Sequence, residues 1–155
     1  MVATPATTLR NLPLPIIQAP MAGVSTPQLA AAVSNAGGLG SLGLGACNAA
    51  QTRAMIEETQ ALTDKPFNVN VFCHAVGKHD SARDTAWLKQ LAPFFMEFGA
   101  HPPQTLTEIY QSFLADDAVF QTLLALRPAY VSFHFGLPCA HHLSAFRQMG
   151  IRTMA

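Results

Sequence analysis

An excess of charge of either sign is missing from this 155-residue sequence, in which nine Lys and Arg are balanced by nine Asp and Glu. Without a basic stripe there is no electrostatic footprint for a nucleic-acid backbone or an anionic membrane, so the expected partners are small molecules or protein. The three cysteines, Cys47, Cys73 and Cys139, are odd in number and form no C-x-x-C pair. That excludes a dense disulfide scaffold and fits a reducing compartment. Each is expected to be a buried small hydrophobe. No apolar run approaches the roughly twenty residues that span a bilayer, since the longest is broken around Ala36-Gly37-Gly38. Met1 to Leu12 has one basic residue and no signal-like apolar stretch, and reads as a leader into the first strand. A soluble, cytoplasmic protein is therefore expected. Internal repeats, low-complexity tracts, a Ser-His-Asp order and paired carboxylates are also lacking. So is a dinucleotide fingerprint, because Gly37-Gly38-Leu39-Gly40 precedes a strand where that motif must follow one.

What the sequence does have is apolar content: half its residues are hydrophobic, enough for one sizeable core. Short apolar runs alternate with helical patterns, which is the signature of βα units feeding a parallel sheet. Ile16-Ile17-Gln18 is the expected first strand. A helix follows, started by Ser25 to Gln28 at capping-box spacing or by Thr26-Pro27, with Leu29, Ala32, Val33 and Ala36 on one face and a stop at Gly37-Gly38. Leu39 to Leu42 is the second strand, and Asn48 caps a helix reaching about Leu62, with Arg53 and Glu57 paired on its wet side. Phe67 to Val71 is the third strand. Between about residues 73 and 105 a helical insertion is expected, carrying Trp87, Leu88, Leu91, Phe94, Phe95 and Phe98, with Pro93 kinking or dividing it. Asp116 or Asp117 caps the next helix, Tyr130 to His134 is the fourth strand, and a short helix bearing His142, Ala145, Phe146 and Met149 leads to a fifth at Ile151 to Ala155. Five such strands suit either an open doubly wound sheet or most of an eight-stranded barrel.

In either fold the chemistry sits where loops converge at the carboxyl ends of the strands. The first strand ends in Gln18-Ala19-Pro20-Met21-Ala22-Gly23, whose small residues suit either a tight turn or a backbone lying against a flat ligand. Gly43-Leu44-Gly45 after the second allows the same two readings. The third ends in Asn70, an amide able to bind a heterocycle edge or to cap a turn. The fourth ends in His134, which is either a satisfied structural histidine or a working one. Strand alternation puts His134, Ser132 and Tyr130 on one face and Phe133 and Phe135 on the other. Cys139, His141 and His142 lie close together, but adjacent helical residues diverge by about 100°, which is poor metal geometry. His74, His79 and His101 read as solvated loop residues.

The stretches PIIQAPMAGVSTPQLAAAVSNAGGLGSLG, FNVNVF and YVSFHFGLP together resemble the FMN-dependent nitronate monooxygenases, from about Leu14 to Ala155. The opening motif is shared with related flavin barrels, including an FMN-dependent enoyl reductase, and the SFHFG stretch discriminates better. The resemblance implies an α/β fold of the TIM barrel type, of which residues 1–155 would form the N-terminal portion, about five of the eight parallel strands. It implies FMN at the carboxyl face and oxidation of alkyl nitronates, such as propionate 3-nitronate, or nitroalkanes with molecular oxygen. By position, His134 matches the active-site histidine and Asn70 a flavin-contacting asparagine, while Met21, Ala22 and Gly23 would line the flavin through backbone. The departure is length. Barrels of this type usually grip the cofactor phosphate after the seventh and eighth strands, which are not present, so a truncated product or a fragment of a longer protein is expected. Alone, it should bind FMN weakly, turn over poorly and self-associate. The alternatives are an enoyl reductase-like enzyme or a non-catalytic remnant that associates with other chains.

Overall fold

The computed structural model describes residues 12–155, so the expected leader, apart from Leu12, lies outside the described residues. The chain divides into two compact units, one containing the residues up to Ala75 together with Tyr110–Ala155, the other Val76–Ile109. In chain order the elements are α1 (Pro27–Asn35), β1 (Gly40–Gly43), α2 (Ala49–Leu62), β2 (Phe67–Phe72), α3 (Ser81–Glu97), a short 3₁₀ turn (Phe113–Ala115), α4 (Asp117–Leu126), β3 (Tyr130–His134), α5 (Ala140–Gln148) and β4 (Arg152–Met154). The four strands are all parallel and lie side by side in the order of the chain. A doubly wound sheet reverses its strand order at a switch point, and the described strands contain no such reversal.

Among the described residues four strands form where five were expected. The predicted first strand is reduced to a single parallel bridge, Ile17 with Leu39, held by Gln18 N donating to Leu39 O at 2.9 Å and Leu39 N to Ile16 O at 2.8 Å. Pro13, Pro15 and Pro20 flank it, and a residue without an N–H cannot extend a ladder. The other strands stand within a residue or two of their expected places.

One face of the sheet carries the core. Leu42, Phe67, Val69, Val71, Val131 and Phe133 pack against Ala30, Ile56, Val119, Phe120, Leu123 and Phe146 from α1, α2, α4 and α5. Leu123 and Phe146 are wholly removed from solvent, and full burial of such side chains is worth roughly 1.5–3 kcal/mol each. Helix starts follow local rules. Thr26 caps α1 by accepting from Leu29 N at 3.2 Å, Asn48 and Gln51 form a reciprocal capping box on α2, and Asp116 caps α4 through Val119 N.

The buried face of α1 differs from expectation. Pro27, Ala30, Ala31 and Ser34 are buried, whereas Leu29 is exposed. Proximity decides this rather than hydrophobicity: a Cβ on Gly40 would collide with the backbone of Ala30, and only a face of small residues lets helix and strand approach so closely.

In the second unit, Asp80 caps α3 by accepting from Ala82 N and Arg83 N, both at 3.1 Å. The helix runs unbroken through Pro93; proline forgoes one backbone bond, and the turns on either side carry the helix past it. None of its residues is buried, and Trp87, Phe94, Met96 and Phe98 are exposed. No helix of the described residues is long and apolar enough to cross a membrane.

Candidate functional site

The face of the sheet opposite the helices is polar yet closed to water. Parallel register sets Ser41 beside Asn68, Asn70 beside Ser132, and Phe72 beside His134. Ser41, Asn68, Asn70 and Ser132 are all buried, and each would cost about 1–3 kcal/mol if left without partners. Ser132 Oγ is their hub, accepting from Asn68 Nδ2 and Asn70 Nδ2 at 2.9 Å each. Asn68 Nδ2 also donates to Ser41 Oγ at 3.2 Å, while its Oδ1 is buried without a partner.

Asn70 ties this network to His134. Its Nδ2 donates to the Ser132 carbonyl at 3.1 Å and lies 3.0 Å from His134 Nδ1. A carbonyl can only accept, so this contact fixes which end of the amide faces the histidine. His134 is the exposed end of an otherwise buried strand, and its main chain is held by Cys73 N donating to its carbonyl at 2.8 Å. Aromatic rings collar it: Phe72 at 6.4 Å and Phe135 at 5.9 Å, with Phe72 itself 5.5 Å from Tyr110 and 5.0 Å from Phe135.

Phe135 corrects the alternation rule. With φ of 66° it leaves the strand in the left-handed region, so its ring meets Phe72 on the side of His134 instead of sharing the face of Phe133. For a bulky residue that conformation stores about 1–3 kcal/mol of strain, and such residues cluster at working sites. His74 is also not simply solvated: its carbonyl accepts from Ser112 Oγ at 2.6 Å and its ring lies 6.5 Å from Phe135. His79 and His101 are exposed, as expected.

The Met21-Ala22-Gly23 loop is fastened to the end of β1. The Gln18 amide imitates a backbone partner, donating from Nε2 to Ser41 O at 3.1 Å and accepting from Ser41 N at 3.2 Å. Gln18 Nε2 also reaches Ser25 Oγ at 3.0 Å, and Ser25 Oγ accepts from Met21 N at 2.9 Å. Ser25 therefore ties the loop, leaving the helix cap to Thr26. A Cβ on Gly43 would come within 2.8 Å of Ala22 N and of the Met21 carbonyl carbon, so only glycine lets the loop cross so near. Gly43 is the register neighbour of Asn70, which brings this loop and the Asn70–His134 pair to the same edge.

The residues at that edge suit a flat heterocycle such as a flavin. Asn70 Oδ1 has no hydrogen-bond partner among the described residues, and neither do the amides of Ala22 and Gly23. Gly23 faces open space, and Met21, Phe135 and Leu137 expose apolar surface. A surface depression lies at the opposite ends of the strands, around Thr63 and Arg127.

Among the described residues no three potential ligands cluster to hold a metal. Cys73 is buried, and burial pushes its thiol up to about 11, leaving it a packing residue. Cys139 departs from expectation because it is exposed, standing at the start of α5. Ser25, Asn68, Ser132, Phe72 and Tyr110 were not singled out from sequence as site residues. Asn68, Asn70 and Ser132 share one parity along their strands, and that was the available signal.

A family model described as nitronate monooxygenase matches residues 4–154. A nitronate monooxygenase of Paraburkholderia phytofirmans is 58% identical over 147 residues, covering 95% of this chain and 40% of that protein. One from Pseudomonas aeruginosa is 56% identical, covering 96% of this chain and 42% of the relative. The chain thus spans about two fifths of the length of these curated relatives. Among solved structures, nitroalkane oxidase from Streptomyces ansochromogenes superposes with a TM-score of 0.80 at 36% identity, over 95% of this chain and 41% of the other. FabK from Thermotoga maritima superposes at 0.64 with 27% identity, over 99% of this chain and 37% of the other.

Proposed function

The chain belongs to the nitronate monooxygenase family, and from that premise we propose that it forms the N-terminal part of a cytoplasmic, FMN-binding (β/α)8 barrel that oxidises alkyl nitronates or nitroalkanes with molecular oxygen. The observation that carries this reading is the exposed imidazole of His134 at the carboxyl edge of β3, held by Asn70 next to the strand whose end bears the Met21–Gly23 loop. FMN, when bound, accepts the electrons of the oxidation and passes them to oxygen. Met21, Ala22 and Gly23 would face it through backbone, with Asn70 Oδ1 as an acceptor.

The protein's own residues do the rest. A nitronate carries its negative charge on two oxygens, and an imidazole N–H of His134 would donate to one of them as charge shifts during oxidation. For a neutral nitroalkane the same ring would instead have to take a proton from the carbon beside the nitro group. Phe72 and Phe135 set apolar ring surface beside the imidazole, with Tyr110 against Phe72. The nitroalkane oxidase superposition is closer than that of FabK, which favours nitro chemistry over the enoyl reductase alternative.

Oxygen uptake on adding propionate 3-nitronate to the FMN-loaded protein, without NADH, is the expected result, and His134→Asn should reduce it at least tenfold, a loss of about 1.4 kcal/mol in transition-state stabilisation. Uptake unchanged by that substitution would overturn the role given to His134. NADH oxidation dependent on an enoyl thioester would support the reductase, and a protein that stays colourless with FMN would support the non-catalytic remnant.

A further inference from the structure

We propose that Asn70 is a positioning residue that fixes the tautomer of His134, holding its proton on Nε2 so that the exposed ring nitrogen is a hydrogen-bond donor; this rests on the nitronate reading and specifies the chemistry of that site. The Ser132 carbonyl at 3.1 Å accepts only, so the nitrogen of the Asn70 amide faces it. That same nitrogen lies 3.0 Å from His134 Nδ1. Two N–H groups cannot hydrogen-bond to each other, so Nδ1 presents its lone pair and the ring proton sits on Nε2.

The amide cannot turn over cheaply. Reversal would set Asn70 Oδ1 against the Ser132 carbonyl oxygen, two acceptors with no hydrogen between them, inside a buried network where unpaired polar atoms are costly; the Ser132 hydroxyl, able to donate or accept, does not choose between the two orientations. The choice of tautomer is thus written into β2 and β3, whose register places Asn70 beside Ser132 and two residue pairs below His134, on the same face. An Nε2–H donor fits an anionic acceptor such as a nitronate oxygen.

The test reads the imidazole directly. Protein labelled with 15N-histidine is examined by NMR at about pH 8.5, above the ordinary histidine range, with the His134 signals identified by their loss in His134→Gln. The expected spectrum has a pyrrole-type Nε2 and a pyridine-type Nδ1. Asn70→Asp, whose carboxylate accepts from Nδ1–H, should exchange the two types, whereas Ser132→Ala, which keeps the orienting carbonyl, should leave them in place. A pyrrole-type Nδ1 in the unaltered protein would overturn the inference, as would an unchanged pattern in folded Asn70→Asp. If Asn70→Asp does not fold, the unaltered protein and Ser132→Ala still decide. Absence of nitronate-driven oxygen uptake would strike the proposed function and leave the tautomer standing, so the two failures are distinguishable.

Discussion

The two faces of the sheet are made by alternate residues of the same strands, and they solve opposite problems. On the helix side, Val69, Val71, Val131 and Phe133 sit in a continuous apolar core with Phe120, Leu123 and Phe146. One residue away, Asn68, Asn70 and Ser132 are buried just as deeply but satisfy one another through hydrogen bonds. The apolar face gains stability from every residue it buries. The polar face, at best, offsets the cost of desolvating its groups, and it still leaves Asn68 Oδ1 unpartnered.

Substitutions can break or sharpen this contrast. The largest effect is expected on the apolar side: Phe146→Ala empties a wholly buried position packed against Phe113, Phe120 and Phe133 and should lower stability by about 3–5 kcal/mol in urea titrations. Asn70→Ala should lower it by only about 1–3 kcal/mol while suppressing nitronate-driven oxygen uptake. Were the two substitutions to cost the same stability, the distinction between a packing face and a working face would collapse. Phe135→Asn should raise stability by about 1 kcal/mol, because asparagine tolerates the left-handed conformation and little buried surface is lost. A lower melting temperature would mean that the contact with Phe72 outweighs the strain.

The smallest effects concern titration on the helix side. Cys73 is held above its ordinary value of 9.0, to about 11. The unfolded chain then releases this proton before the folded one, so this contribution to stability is present below pH 9.0 and is lost as pH rises toward about 11. In thiol labelling at neutral pH, exposed Cys139 should react well before Cys73. His142 is held below its ordinary value of 6.5, first by burial and then by His141, with Asp117 opposing. Its contribution is therefore present above 6.5 and is lost on acidification as the unfolded chain takes up the proton. His142→Phe keeps the stack on Phe120 and should flatten stability between pH 5 and 7, roughly the range over which histidine titrates.

Much of the frame was legible in the residues. β3 occupies Tyr130–His134 as the alternation and the turn signals around it indicate, and Thr26, Asn48 and Asp116 cap helices by local bonds that their own side chains supply. The errors arose where distant groups outvote local preference. The buried face of α1 is chosen by the approach of Gly40, the first strand is cut short by its prolines, and Phe135 is turned over by a backbone conformation that no propensity favours. At the site, His134 and Asn70 stood out as strand-end residues, but their contact did not, because 64 residues separate them in sequence.

By itself the sequence determined which segments become strands and helices and which residues end them, because hydrophobic period, caps and turn chemistry act within a few residues. It also carried the motifs that mark the nitronate monooxygenase family. Only the tertiary structure decided that the amide of Asn70 faces the imidazole of His134 and that Ser132 orients it. Those relations depend on the register between β2 and β3, a property of paired strands that neither strand holds alone.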